Sequence, residues 1–297
     1  MSSELTPRPL SLLQTHPALS VLRLAALSAG PDGALDDETL NLMFEQVETG
    51  ALVGMVHTEV WPELALGLMA HMPSNMFRAL YACGALPEIL PEVAAVFGVP
   101  QIADDPPQVD IGQHLLRVLD EAARCNAPLP VRFAALVMNI GKSDSPPEHL
   151  PVHYRHVERG RPRIEALCER LGVPSDCRDM ALLALVECER VHRVSEVRAG
   201  PVAAMLERLG AFDQPQRFER LMTLCACDYL AYGGRAAQKY PKAVLLGIAL
   251  KACANIDATE LTSALDAAEA ADTLHEARAA AIAAVFRSER WSNRAEG

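Results

Sequence analysis

The feature that most constrains the fold is a repeated helical spacing of apolar residues, in segments bounded by proline and glycine. The clearest segments run from Phe133 to Ile140, Ile164 to Leu171, Val202 to Leu209 and Phe218 to Cys225. In each of them the apolar residues fall at i, i+3, i+4 and i+7, which places them on one face of a helix. Pro130 and Pro201 stand at two starts, and Gly141, Gly172 and Gly210 stand at three ends. No alternating strand pattern competes with these segments, so the sequence predicts an all-α fold.

Interruptions of this pattern predict the domain limits. One seam lies at residues 98–107 and a proline-rich loop lies at residues 143–160. Asp257 and Glu260 resemble a capping box in front of an alanine-rich helical segment. We therefore expect an N-terminal tail (1–15), a helical domain (16–100), a second helical domain (101–254) and a C-terminal helical tail (255–297).

Charge and hydropathy limit the class of protein. The formal net charge is −11, and such a surface repels polyphosphate unless basic residues gather on one face. Two basic clusters, at residues 159–163 and 190–193, are interpreted as solvated helix ends or, alternatively, as phosphate contacts. The sequence has no window of about 18 uninterrupted apolar residues. Its N-terminus has no basic start followed by an apolar run. We therefore expect a cytoplasmic protein that does not enter a membrane.

The eight cysteines form no Cys-x-x-Cys pair, and the closest spacing is Cys225-Ala-Cys227. Scattered cysteines of this kind are typical of buried, reduced thiols in a helical protein. We therefore do not expect the cysteines to form a zinc site.

Two polar residues occupy positions where the helical pattern calls for apolar ones. His114 lies on the face of Ile111 and Leu115, and Asp228 continues the face of Leu221 and Cys225. A buried carboxylate without a partner costs several kcal/mol or gives up its charge. Asp228 is therefore expected either to bond to the backbone or to His114, or to belong to a residual metal site with His114.

The pair Met138-Asn139 lies in a segment, Val131 to Lys142, that is otherwise typical of a metal-phosphohydrolase helix ending in His-Asp-x-Gly-Lys. A thioether is a poor ligand for a hard cation, and an amide carries no charge to offset that of a metal. We therefore expect no bound cofactor at this position. A divalent Mn, Ni, Zn or Mg ion is the alternative.

Five further polar residues are candidates for phosphate or RNA contact: Lys142, His153, Arg155, His156 and His192. His153 and His156 would share a face if a helix began there, and two imidazoles can help to hold a metal or a phosphate. Loop histidines are also common as solvated polar residues, and this alternative stays open for all three histidines.

Short motifs in a fixed order connect the chain to a known family. They are Val21–Ala25, Asp37–Met43, Cys83–Glu92, Phe97–Pro100, Val131–Leu136, Asp213–Arg217, Tyr240-Pro241 and Ala280–Arg290. Together they resemble the C-terminal half of bacterial CCA-adding tRNA nucleotidyltransferases that carry an HD domain. The resemblance covers about residues 16 to 290. It assigns residues 16–100 to the RNA-binding neck and body and residues 101–254 to the HD domain, here degenerate.

The resemblance also implies what this chain lacks. The family's catalytic head precedes the neck, and this chain begins almost at the neck, so we expect no nucleotidyl transfer. Of the four HD metal ligands, His114 and Asp228 match, whereas Met138 and Asn139 stand in the places of the central His and Asp. The resemblance therefore implies a metal position without catalytic residues.

Two hypotheses follow from the resemblance. The first is a non-catalytic module that binds tRNA or a protein, with a homodimer or a nucleotidyltransferase head supplied in trans as possible partners. The alternative is a metal-dependent phosphohydrolase acting on phosphomonoesters or 2′,3′-cyclic phosphates.

Overall fold

The computed structural model describes residues 17–295 except residues 32, 34, 196, 197, 236–238 and 264. The described residues form 15 α-helices and almost no sheet, which confirms the predicted all-α class. None of their helices is long and apolar enough to cross a membrane. The predicted N-terminal tail lies outside the described residues.

The helices follow one another with short connections. They are α1 (Pro17–Ser28), α2 (Asp37–Glu48), α3 (His57–Met69), α4 (Pro73–Ala82), α5 (Leu86–Ile89), α6 (Pro91–Ala94), α7 (Ile111–Arg124), α8 (Leu129–Val137), α9 (His156–Leu171), α10 (Ser175–His192), α11 (Ala199–Arg208), α12 (Pro215–Leu230), α13 (Pro241–Ala252), α14 (Ala258–Thr262) and α15 (Ala267–Ala295). Short 3-10 helices span Ile140–Lys142 and Pro147–His149.

Contacts between residues divide the chain into two compact units. The first unit comprises residues 1–186 and 227–237, and the second comprises residues 187–226 and 238–297. Helices α10 and α12 each contribute residues to both units. The predicted domain limits at residues 100 and 254 stay predictions.

The core of the first unit depends on close helix packing. Gly67 of α3 faces Met76 of α4, and a Cβ atom at Gly67 would lie 2.1 Å from the Met76 sulfur. Trp61 and Phe133 meet edge to face, with ring centroids 5.4 Å apart. Contacts of this kind bring α1, α3, α4, α7 and α8 together around one apolar interior.

A buried arginine ties the end of α3 to the start of α8. Arg132 donates from Nε to the Ala127 carbonyl at 2.8 Å, and from Nη1 to the carbonyls of Leu68 at 2.8 Å and Ala70 at 3.0 Å. The last carbonyls of a helix have no partner within the helix and carry partial negative charge. The guanidinium therefore satisfies carbonyls at this helix end.

A small hairpin occupies the segment that was expected to be a seam. Strand β1 (Pro100–Ile102) pairs antiparallel with β2 (Gln108–Asp110), and Gln101 lies opposite Val109. Each strand has three residues, which is too short for an alternating pattern to be visible in the sequence. Asp110 then caps α7, because its Oδ1 accepts a hydrogen bond from the Gln113 amide at 2.7 Å.

The apolar stripes predict the helices well and one helix end poorly. Gly172 and Gly210 follow α9 and α11 with φ of +68° each, as expected for glycines that end helices. Helix α8, however, ends at Val137 rather than at Gly141. Gly141 serves a packing contact instead, since a Cβ atom there would lie 2.1 Å from the His156 carbonyl oxygen and 2.6 Å from the Gly160 nitrogen.

The second unit is organised around the long helix α15. Glu207 of α11 accepts hydrogen bonds from Arg278 and His275 of α15, both at 3.0 Å. The guanidinium of Arg278 also lies 3.9 Å from the centre of the Phe212 ring. Asp257 forms the N-cap half of the predicted capping box, because its carboxylate accepts from the Glu260 amide at 3.0 Å, but the helix that it caps is the short α14 and not the long α15.

Candidate functional site

A buried imidazole–carboxylate pair marks the position that the resemblance assigns to a metal. His114 on α7 is fully buried and Asp228 on α12 is nearly so. Nε2 of His114 lies 3.0 Å from Oδ1 of Asp228. Of the roles expected for Asp228, the structure therefore shows the hydrogen bond to His114. With the proton on Nε2, the imidazole donates to the carboxylate.

The other ring nitrogen of His114 is buried as well. Among the described residues, no hydrogen-bond partner lies near its Nδ1. The ring lies against that of Tyr232, with centroids 4.2 Å apart. In the tautomer with the proton on Nε2, only Nδ1 retains a lone pair. In such a geometry the carboxylate orients the imidazole rather than adding a second ligand of its own.

Met138 and Asn139 are buried at the end of α8, which packs against the helix carrying His114. Neither side chain supplies a strong ligand for a hard divalent ion. Within the described part of the chain, His114 and Asp228 gain no third His, Cys, Asp or Glu at a spacing suited to a metal. The residues at this position therefore do not fit the divalent ion that the resemblance implies.

A polar network extends from this pair to Lys142. Its ammonium is largely buried and donates to Oε1 of Gln101 at 3.3 Å. The amide of Gln101 donates in turn to the Tyr232 hydroxyl at 3.3 Å, and the Tyr232 ring covers His114. Lys142 was predicted as a phosphate contact, and the structure places it inside the protein. Gln101 and Tyr232 were missed, because nothing in their local sequence signals their neighbours.

Two arginines of the first basic cluster hold the turn after Asn139. Arg159 donates to the Gly141 carbonyl at 3.1 Å and to the Ser145 hydroxyl at 3.0 Å. Arg163 donates to the Ser143 hydroxyl at 2.7 Å and forms an ion pair with Asp144. Both cations are thus engaged with the turn that follows Asn139.

The loop histidines and Arg155 are also bonded within the protein. Nδ1 of His153 lies 2.8 Å from the Ser145 hydroxyl, and its Nε2 lies 2.9 Å from the Pro100 carbonyl. Nδ1 of His156 lies 2.9 Å from the carbonyl of His153. Helix α9 begins at His156, so the shared helical face that the spacing allowed does not form. Arg155 is exposed and paired with Glu158 at 2.7 Å.

His192 belongs to a different group, in the second unit. Its Nε2 lies 3.4 Å from Sγ of Cys188, and its Nδ1 lies 2.7 Å from the Tyr240 hydroxyl. Sγ of Cys188 lies 3.6 Å from Sγ of Cys225. The hydrogen bond with Cys225, together with burial, raises the pKa of the Cys188 thiol well above its ordinary value. Sequence reasoning missed this group, although Cys188 and His192 stand four residues apart on one helix face.

Comparison with known proteins supports the resemblance over most of the chain. The multifunctional CCA protein of Burkholderia multivorans is 43% identical over 266 residues, which is 89% of this chain and 64% of that protein. Its namesake in Cupriavidus necator is 41% identical over 267 residues, or 89% of this chain and 65% of that protein. The chain is similar to multifunctional CCA proteins. It spans less than two thirds of the length of these curated relatives, and no protein-family model matches it.

Proposed function

We propose that this chain is a tRNA nucleotidyltransferase-related protein that binds tRNA and has no hydrolytic centre at its HD position. The similarity to multifunctional CCA proteins over 89% of the chain supports the relationship. The proposed loss of hydrolysis is supported by the burial of Met138 and Asn139 where the resemblance places two metal ligands. It is also supported by the hydrogen bond between His114 and Asp228, which engages the other two.

The chemistry of hydrolysis explains why these side chains matter. A metal-dependent phosphohydrolase uses its ion to generate a hydroxide and to neutralise charge that develops on the phosphoryl oxygens. Holding such an ion takes several charged or strongly donating ligands. A thioether, a neutral amide and one remaining imidazole nitrogen do not supply them.

Binding to RNA is tested directly by filter binding at low salt. With a net charge of −11, the protein is expected to bind non-specific RNA weakly. We expect tRNA to bind more tightly than a random RNA of equal length, with a dissociation constant below about 10⁻⁴ M. Binding no tighter than that value would remove tRNA from the proposal and leave a protein partner as the ligand.

A pair of arginine variants refines this test. Arg155→Ala removes an exposed cation that precedes α9, whereas Arg178→Ala removes another exposed cation, on α10 beside Asp179. If Arg155 contacts a phosphate, its removal should reduce the slope of log affinity against log salt by about 1, and the Arg178 variant should keep the original slope. Equal slopes for both variants would exclude Arg155 from the RNA contact.

The phosphohydrolase alternative has an equally direct assay. We expect no turnover of a 2′,3′-cyclic phosphate or a phosphomonoester with added Mn²⁺, Ni²⁺, Zn²⁺ or Mg²⁺. Turnover that disappears in His114→Ala would contradict the proposal, because it would place an active ion at that imidazole.

A further inference from the structure

Three metal-ligating side chains of the second unit converge, although the sequence separates them. Cys188 and His192 lie one helical turn apart on α10, and Cys225 lies on α12. The ligand atoms of all three lie within 4.8 Å of one another. Cys188 and Cys225 are buried, and His192 is partly buried, so the group is shielded from most solvent.

Two of the three distances within this group match those of a tetrahedral zinc site. Zinc–sulfur bonds of about 2.3 Å and zinc–nitrogen bonds of about 2.0 Å give sulfur–sulfur separations of about 3.8 Å and sulfur–nitrogen separations of about 3.5 Å. The Cys188–Cys225 separation is 3.6 Å and the Cys188–His192 separation is 3.4 Å. The third separation, between Sγ of Cys225 and the imidazole of His192, is at most 4.8 Å.

Tyr240 orients the imidazole for this role. Its hydroxyl lies 2.7 Å from Nδ1 of His192, and its side chain is buried. A histidine that binds a metal commonly donates its other ring N–H to such a partner, which fixes both the tautomer and the ring plane. When Nδ1–H donates to the Tyr240 hydroxyl, Nε2 carries the lone pair on the side of Cys188.

We propose that Cys188, Cys225 and His192 bind one Zn²⁺ ion, with water as the fourth ligand. Two thiolates and an imidazole suit zinc and are poor ligands for Mg²⁺ or Mn²⁺. Among the described residues, no fourth His, Cys, Asp or Glu joins the group, which leaves the last tetrahedral position to solvent. Each cysteine releases its thiol proton to solvent when the zinc–sulfur bond forms, so binding liberates two protons.

The site is tested on the full chain, purified under reducing conditions and freed of metal before zinc is added. We expect elemental analysis to find one zinc per chain. Cobalt should replace the zinc and give the intense visible bands of a tetrahedral ion, together with a thiolate-to-cobalt charge-transfer band. Cys225→Ser should weaken zinc binding by more than the roughly 10- to 100-fold that follows loss of an outer partner.

Two control variants separate this site from other candidates. Cys168→Ser alters a buried cysteine of the first unit and should leave one zinc per chain. His114→Ala removes the imidazole of the degenerate HD position and should do the same, so the outcome is independent of the proposed function. If a cysteine variant fails to fold, the cobalt spectrum of the unmodified chain decides, because the charge-transfer band requires thiolate ligands.

Three results would overturn the zinc site. The first is a reduced protein that takes up no stoichiometric zinc and gives no charge-transfer band. The second is zinc uptake that Cys225→Ser leaves unchanged. The third is a Cys188–Cys225 disulfide in the purified protein with no zinc binding after its reduction, which would assign the close thiols to a redox role.

Discussion

Two clusters of polar side chains, one around His114 and Asp228 and one around Cys188, differ in how far the sequence predicts them. The sequence around His114, Asp228, Met138 and Asn139 resembles an HD motif. In the structure, His114 and Asp228 are hydrogen-bonded to each other, and Met138 and Asn139 are buried side chains that bind hard cations weakly. The group around Cys188 has no recognisable motif, yet the ligand atoms of Cys188, His192 and Cys225 lie within 4.8 Å of one another. The spacing of a motif thus predicts the course of the backbone, whereas the chemistry depends on which donor atoms are present.

The physical basis of the difference is hydrogen bonding. Nε2 of His114 and the carboxylate of Asp228 satisfy each other by a hydrogen bond, whereas Nδ1 of His114 has no partner among the described residues. Thiols are weak hydrogen-bond partners, and a group of two thiols and an imidazole gains much more when a cation replaces the thiol protons.

The largest expected effect in the first group follows the loss of Asp228. Asp228→Ala removes the carboxylate 3.0 Å from His114 and, within the described part of the chain, leaves neither ring nitrogen with a known partner. The free energy of unfolding in urea should fall by about 3 kcal/mol, because a buried polar group is left uncompensated. Asp228→Asn keeps an acceptor and should cost less. A loss below about 1 kcal/mol in the alanine variant would show that the pair is not a stabilising contact.

Substitution of Gly141 tests whether close packing holds the turn that follows Met138 and Asn139. Gly141→Ala places a Cβ atom 2.1 Å from the His156 carbonyl oxygen. It should lower the free energy of unfolding by about 2 kcal/mol or more. Gly247→Ala, in α13, meets no described atom within 4 Å and should be neutral or stabilising by up to about 1 kcal/mol. Equal effects in thermal unfolding would remove packing as the reason for Gly141.

Substitution of Tyr240 tests the second cluster, because its hydroxyl contacts His192. Tyr240→Phe removes the hydroxyl 2.7 Å from His192 and should weaken zinc binding by about 10- to 100-fold. Tyr81→Phe alters an exposed tyrosine and serves as the control. Zinc affinity is measured by competition with a chelator. An unchanged affinity in the Tyr240 variant would mean that the hydroxyl does not orient the imidazole.

A cysteine pair in the first unit provides a contrast, since it has two thiols and no imidazole. Sγ of Cys125 lies 3.7 Å from Sγ of Cys227, and this hydrogen bond lowers the pKa of the exposed Cys125 to about 6. The thiolate is the form that reacts, so alkylation should rise with pH around 6 instead of around the ordinary 8.5. Mass spectrometry of the alkylated residue gives the midpoint. Cys227→Ala should move it upward, and a midpoint above about 8 in the unmodified chain would contradict the lowered pKa.

The helices were predictable because their stripes are local. Ile164, Leu167 and Leu171 recur at the helical period, and all three are buried on α9. The early end of α8 was not predictable, because the contact that employs Gly141 comes from Gly160 on another helix. The hairpin at residues 100–110 was not predicted, because three residues per strand are too few to show an alternating pattern.

The contacts of the candidate sites were also predictable only in part. A partner for Asp228 was predictable, since a carboxylate on an apolar stripe cannot remain unsatisfied. The approach of Cys225 to Cys188 was not, because 37 residues separate them and no spacing rule relates them. The contact of Tyr240 with His192 spans 48 residues and is equally invisible before folding.

The contact between Gly141 and Gly160 has a practical consequence for protein engineering. Because a Cβ atom at Gly141 would lie 2.1 Å from the His156 carbonyl oxygen, the turn that follows residues 138 and 139 is packed directly against the start of α9. Met138→His combined with Asn139→Asp would place an imidazole and a carboxylate immediately before this packed turn. The double variant is therefore a starting point for building a metal site beside His114 and Asp228.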